Sequence, residues 1–168
     1  MRVAGVVAEY DPFHRGHAYH LAQTRQRTQA DYIVVVMSGC FTQRGQGAIV
    51  SPAARVRMAL ANGADAVLEL PVPWAVREAE HFALGAVSML HRLSCVTHIA
   101  FGAETNELAA LTACAKLLEQ PTDELNIQVQ AGLRAGLSHP SALSQALAAQ
   151  CPASGLEQPN NVLALCYL

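Results

Sequence analysis

Three residues near the start of the chain carry the clearest chemical signal: His14, Gly16 and His17, within Ala8-Glu9-Tyr10-Asp11-Pro12-Phe13-His14-Arg15-Gly16-His17. Two imidazoles flanking a glycine suit an anion. Ring N–H groups donate to phosphate oxygens, and a residue without a Cβ lets a triphosphate approach the backbone. Donors aimed at charge that develops in a transition state contribute about 3–4 kcal/mol each. His20 follows one turn after His17, on the same helix face. The recurrence of His14, His17 and His20 also admits a metal. Catalytic zinc helices favour i, i+4 spacing, however, and this helix adds no acidic or thiol ligand, so no metal site is expected. The plainer alternative is that His14 caps the loop and His17 packs as a neutral surface residue.

The elements around this string give it weight. Val3 to Ala8 is a continuous apolar, β-branched-rich run, as for a strand buried on both faces, and His17 to Thr28 contains no helix breaker. Tyr32 to Met37 reads as a second buried strand, followed by the glycine-containing loop Ser38 to Gly47. Ser51-Pro52 starts a helix that ends near Asn62-Gly63. Ala66 to Leu70 is a third strand, Ala75 to Leu90 a helix, and Thr97 to Phe101 a fourth strand. Strands alternating with helices indicate an α/β, Rossmann-like parallel sheet with right-handed crossovers that put helices on both faces. Ligands of such sheets bind beyond the carboxyl ends of the strands, where a helix N-terminus favours phosphate. The expected division is an ATP-binding domain over residues 1–104 and a helical extension over 105–168. In the latter, Leu108 to Glu119, Thr122 to Ala135 and Ser141 to Ala149 are separated by Pro121, Pro140 and Pro152. The helix opened by Pro159-Asn160-Asn161 reaches Leu168 without a cap, so the polypeptide is expected to continue.

Composition narrows the class. The chain has 168 residues, of which 52% are hydrophobic and 14% charged, which excludes disorder. Seven basic residues (Arg2, Arg15, Arg25, Arg27, Arg44, Arg55, Arg57) and three acids fall in the first sixty positions, leaving four basic and ten acidic side chains elsewhere. An anionic ligand is therefore expected near the N-terminal third, unless these arginines are ordinary solvated charges. The five cysteines form no C-x-x-C pair and fit reduced thiols. No apolar stretch approaches the length of a membrane span, and a cytoplasmic protein without a membrane partner is expected.

The chain resembles the bacterial tRNA(Met) cytidine acetate ligase family of the nucleotidyltransferase and class I synthetase superfamily. The resemblance runs through several separate blocks. Ala8 to His14 is followed by Gly16-His17-x-Tyr19-His20, Val36-Met37-Ser38-Gly39 and Phe41-x-Gln43-Arg44-Gly45. Further along stand Arg55-x-x-Met58-Ala59-Leu60, Glu69-Leu70-Pro71, Ala79-Glu80-x-Phe82-Ala83-x-Gly85-Ala86, Phe101-Gly102-x-Glu104 and Pro159-Asn160-Asn161-x-Leu163. The resemblance implies an enzyme that activates acetate with ATP and Mg2+ as acetyl-adenylate. The acetyl group then passes to N4 of the wobble cytidine of elongator methionine tRNA. It implies His14 and His17 as catalytic residues. It also implies an ATP site of Val7, Ala8, Glu9, Tyr10, Asp11, Pro12, Phe13, His14, Arg15, Gly16, His17, Ala18, Tyr19 and His20, with Gly102 and Asn160. Arg44 would face the phosphates or the tRNA end, and most of the tRNA surface would lie beyond residue 168. Asp11 departs from the family's usual Asn, Cys40 from a polar residue and Pro52 from Lys.

Other residues are open between two readings. Glu69, at a strand end, is either functional or a simple terminator; Glu80 and His81 either reach the site or lie on an exposed helix face. Tyr10 and Phe41 either stack on a base or anchor loops. Trp74 is expected to pack, and Met37, Met58 and Met89 to fill the core. Two other functions compete: a mononucleotide adenylyltransferase, which shares Asp11 to His17 but lacks the Phe41–Gly45 and Glu69–Pro71 blocks, and a non-catalytic nucleotide-binding module. His17→Ala is expected to lower adenylation roughly 10²–10³-fold with little loss of fold stability.

Overall fold

Four short, mostly apolar segments form one parallel sheet in the computed structural model, which describes every residue except Asn106, Ala153, Ser154 and Glu157, together with the side chain of Pro140. Strands β1 (Val3–Ala8), β2 (Tyr32–Ser38), β3 (Ala66–Leu70) and β4 (His98–Ala100) stand in the order β3-β2-β1-β4. Register runs from Val3 opposite Tyr32 to Ala8 opposite Met37. The chain steps outward from β1 to β3, then returns to the other side of β1 as β4. Strand order therefore reverses at β1, the place where open α/β sheets leave a crevice for ligands.

The chain divides into two compact units, Met1–Phe101 and Gly102–Leu168. In the first, side chains alternate between the two sheet faces. Ala4, Val6, Ile33, Val35 and Met37 pack with Leu21 of α1 (Arg15–Thr28) and Ala59 of α2 (Pro52–Ala61). The opposite face meets α4 (Ala79–Arg92), whose Leu90 lies so close to Gly5 that an added Cβ would be 2.7 Å from it. Helices thus cover both faces, as the βαβ pattern requires. Arg25 ties this unit together at the far end of the sheet. Its guanidinium donates to the carbonyls of Ala30, Asp31 and Gly63 and pairs with Asp65 at 2.5 Å.

Two helix boundaries differ from the sequence reading. The helix expected over Ala75 to Leu90 is two pieces, α3 (Val72–Ala75) and α4, because Pro71 and Pro73 start a helical turn early and Glu78 restarts the chain from an extended conformation. Trp74 is 38% exposed yet lies against Gly85, where an added Cβ would be 2.7 Å from its Cγ. Pro140 does not break a helix either: α7 (His139–Gln150) is capped by Ser138, and proline in a first turn loses no hydrogen bond. Met58 is not a core residue, being 38% exposed on the outer side of α2.

The second unit holds α5 (Leu108–Glu119), α6 (Asp123–Arg134), α7 and α8 (Pro159–Tyr167) around Cys114, Leu125, Val129, Ala146, Leu147 and Leu165. A reciprocal clasp closes it. Glu104 Oε2 accepts from Asn161 N–H at 3.0 Å, while Asn161 Oδ1 accepts from Glu104 and Thr105 N–H at 2.9 and 3.2 Å. The Glu104 carboxylate thereby satisfies the first free donors of α8 and complements its dipole. Asn161 is 1% exposed and donates its amide to Gly155 O. Asn161→Ala leaves these partners unpaired and is expected to cost roughly 1–3 kcal/mol. Thermal unfolding followed by circular dichroism reads this, and an unchanged midpoint would remove the clasp from the account. Among the described residues no helix is long and apolar enough to cross a membrane.

Candidate functional site

The path from β1 into α1 is built by an unusual run of backbone conformations. Tyr10 has φ 55°, in the left-handed region that side chains rarely adopt, and the Asp11–Pro12 peptide is cis. A non-glycine residue there costs on the order of 1 kcal/mol, and the surroundings must hold it in place. They do so by burial. The Tyr10 ring is 2% exposed, belongs to the sheet core, and meets Phe13 edge-on at 4.9 Å and His17 at 4.8 Å. Burial also raises the pKa of its phenol. Of the two readings for Tyr10, the structure realises the loop anchor.

His14 and His17 form a reciprocal cap at the start of α1. Gly16 N–H donates to His14 Nδ1 at 3.1 Å, and His14 N–H donates to His17 Nδ1 at 3.2 Å. The rings stack with centroids 3.6 Å apart. Because each Nδ1 accepts a backbone hydrogen bond, the proton of each neutral ring sits on Nε2. Each neutral imidazole therefore keeps an Nε2–H donor that the cap does not use. Partial burial, with the nearby His14 and His20 charges adding to it, depresses His17 to about 4, and burial also lowers His20. His17 is thus a neutral donor at pH 7. Gly16 completes the turn: a Cβ would lie 2.9 Å from His14 Cε1 and crowd the ring.

The sign of the pH effect follows. The folded pKa of His17 lies below the unfolded value of 6.5, so the unfolded chain binds the extra proton between about pH 6.5 and 4. This contribution to stability is complete above pH 6.5 and is lost as pH falls toward 4. In a proton–nitrogen NMR titration the His17 ring is expected to stay neutral at pH 5.5. A midpoint near 6.5 would contradict its placement.

A strap from Gly39 to Val50 is pinned beside this helix start. Glu9 Oε1 accepts from Gln43 N–H at 2.5 Å, and the two Asp11 oxygens accept from Ile49 and Val50 N–H at 2.9 and 3.0 Å. Arg55, fully buried, closes the arrangement from α2. It donates to Glu9 O at 2.6 Å, Ser38 O at 3.0 Å and Val50 O at 3.0 Å, and also to Gly39 O. The ends of β1 and β2 and the far end of the strap meet at one guanidinium. In sequence Arg55 had counted among the basic residues that could face an anion or solvent; the structure instead buries it against carbonyls.

The remaining expected residues are distributed as follows. Val7, Ala8 and Glu9 are half-buried at the end of β1, and Ala18 and His20 are half-buried on α1. Pro12, His14, Arg15, Gly16 and Tyr19 are exposed, and Asp11 and Phe13 are half-buried. Gly102 and Asn160 belong to the second unit, where Asn160 Nδ2 donates to Glu104 Oε1 at 2.8 Å. Glu69 lies over Gly39, whose missing Cβ makes room for its carboxylate. Glu80 is exposed, and His81 Nδ1 meets Glu78 at 2.8 Å. Among the described residues no three His, Cys, Asp or Glu side chains gather as a metal site.

A parallel sheet whose order reverses at β1, with paired imidazoles capping the helix that leaves it, defines a nucleotidyltransferase of Rossmann-like fold. Residues 1–168 match the HIGH Nucleotidyl Transferase family model, and the chain belongs to that family. Its similar relatives include the tRNA(Met) cytidine acetate ligases of Geobacillus sp. strain WCH70, 45% identical over 170 residues, and of Caldicellulosiruptor bescii, 44% identical over 168. Each alignment covers 100% of this chain and 42% of the relative. A crystal structure of Thermotoga maritima TmcAL bound with alpha-thio ATP superposes with a TM-score of 0.92 at 40% identity, covering 99% of this chain and 42% of that one. The chain therefore spans about 42% of the length of these relatives.

Proposed function

We propose that this chain supplies the ATP-binding and adenylating part of a tRNA(Met) cytidine acetate ligase. The observation that carries this reading is the His14–His17 cap, which occupies both Nδ1 atoms and leaves both Nε2 atoms free of it, at the helix that follows the strand where the sheet order reverses. The two donors and the helix N-terminus bind the α- and β-phosphates, and Gly16 gives the phosphates room. An acetate oxygen attacks the α-phosphorus, the bond from that phosphorus to the β-bridging oxygen breaks, and pyrophosphate leaves. Charge building on the phosphate oxygens is met by N–H donors that the cap already holds in place, so little reorganisation is needed. The N4 amine of the wobble cytidine then attacks the acetyl carbonyl carbon, AMP leaves, and the amine proton passes to solvent.

Glu9 and Asp11, the carboxylates nearest the cap in sequence, are committed to backbone N–H groups, so the first unit offers Mg2+ no ligand cage of its own. Mg2+ would arrive on the triphosphate, where it neutralises phosphate charge. The work on tRNA would place the protein in the cytoplasm.

ATP–pyrophosphate exchange by the full-length natural polypeptide tests this reading. Exchange is expected with acetate and not with nicotinate mononucleotide. Exchange driven only by the mononucleotide would transfer the protein to the adenylyltransferases.

A further inference from the structure

The strap beside the cap holds side chains that the adenylation reading does not use. Phe41 pairs with Gly47 in an antiparallel bridge, and Gly45 N–H donates to Thr42 O at 2.9 Å to close the turn between them. Gly45 has φ 73°, the conformation such a hairpin turn requires. At the turn Arg44 is exposed and has no ion-pair or hydrogen-bond partner among the described residues. Phe41 is 42% exposed and Ile49 is 82% exposed. Both are apolar side chains left open on a segment that hydrogen bonds hold in place.

Charge decides the kind of partner. The strap contains no acidic residue; of the acids that touch it, Glu9 and Asp11 accept from three of its backbone N–H groups, and Glu69 lies against Gly39 at its start, five residues before Arg44. Among the described residues no carboxylate pairs directly with Arg44, so its guanidinium is open to an anionic partner. A cation and an exposed aromatic side chain three residues apart on one turn suit a nucleotide of single-stranded RNA, whose base stacks while its phosphate pairs. The Glu9 carboxylate holds Gln43, the residue before Arg44, so the turn stays beside the end of β1. That is where an acyl group would be handed over.

We propose that the strap Gly39–Val50 is a preformed rim that docks the acceptor nucleotide, with Phe41 stacking on a base and Arg44 holding a backbone phosphate. This rests on the acyl-transfer reading above and assigns residues of this chain to the RNA.

The test uses the full-length natural polypeptide and a fluorescent, unmodified anticodon stem-loop RNA, with affinity read by anisotropy over a salt series. Phe41→Ala is expected to weaken binding roughly 5- to 150-fold, the range of one lost base stack, and Phe41→Trp to restore it. Arg44→Ala is expected to weaken binding and reduce the salt slope by about one phosphate contact. Arg57→Ala, an exposed arginine on α2, serves as the control and should bind as wild type. ATP affinity, read by calorimetry, should be unchanged in all four variants. RNA affinity unchanged in Phe41→Ala and Arg44→Ala overturns the proposal, as does a wild-type protein that does not bind the stem-loop. Loss of ATP affinity in Arg44→Ala with RNA affinity intact overturns it in favour of a phosphate role. Absence of acetate-dependent exchange, by contrast, sinks the adenylation reading while the RNA measurement still decides this one.

Discussion

His17→Ala is expected to lower acetate-dependent ATP–pyrophosphate exchange roughly 10²–10³-fold, the loss that follows removal of one preorganised donor to transition-state charge. The structure adds a cost that residue type alone did not show. His17 Nδ1 accepts the His14 N–H at 3.2 Å, and the ring packs on Tyr10 and Phe13. Alanine therefore opens the cap as well, at about 1 kcal/mol, which in a chain of this size lowers the melting temperature by about 2–4 °C. His17→Gln separates the two roles. Glutamine at the third position of a helix can accept the cap hydrogen bond, so stability is expected to return close to wild type. Exchange should stay at least about tenfold down, because the flexible amide does not hold its donor where the imidazole did. Full recovery of exchange in His17→Gln would reduce His17 to a capping residue and leave the phosphate assignment to His14 alone.

Arg55→Met is expected to destabilise the first unit by about 3–5 kcal/mol, the range for removing one partner from a buried charged arrangement. Among the described residues the guanidinium has no carboxylate partner. Its charge is balanced by the carbonyl dipoles of Glu9, Ser38, Gly39 and Val50, and methionine would leave all four without their donor. Each orphaned buried carbonyl costs on the order of 1–3 kcal/mol, less whatever water can recover. Arg55→Lys keeps the charge but reaches fewer of these carbonyls, so its loss should be about half as large and the variant should still fold. Urea unfolding of the three proteins measures both. A wild-type midpoint for Arg55→Met would show that the strap and strand ends hold without their central donor.

Much of the architecture rested on short-range signals. Runs such as Tyr32 to Met37, rich in β-branched residues, read as buried strands, Ser51-Pro52 states a helix start in two residues, and Ala66 to Leu70 is bounded by polar and proline neighbours. The handedness of βαβ crossovers then put helices on both faces, and His14, Gly16 and His17 fell at a strand–helix junction of the kind where such a sheet takes a ligand, while the strand order itself came only with the structure. What the side chains do there was settled by packing. Arg55 reaches Glu9 across 46 positions of sequence, Asp11 reaches Val50 across 39, and neither distance leaves a periodic trace in the chain. Arg55 and Arg57 are two residues apart on one helix, yet one is sealed in and the other solvated. Tyr10 in the left-handed region is likewise the work of the tertiary structure, since only the surrounding core makes that backbone affordable for a tyrosine. Local propensity and hydrophobic period act over a few residues, whereas a buried charge and a pinned strap depend on which carbonyls the finished sheet leaves unpaired.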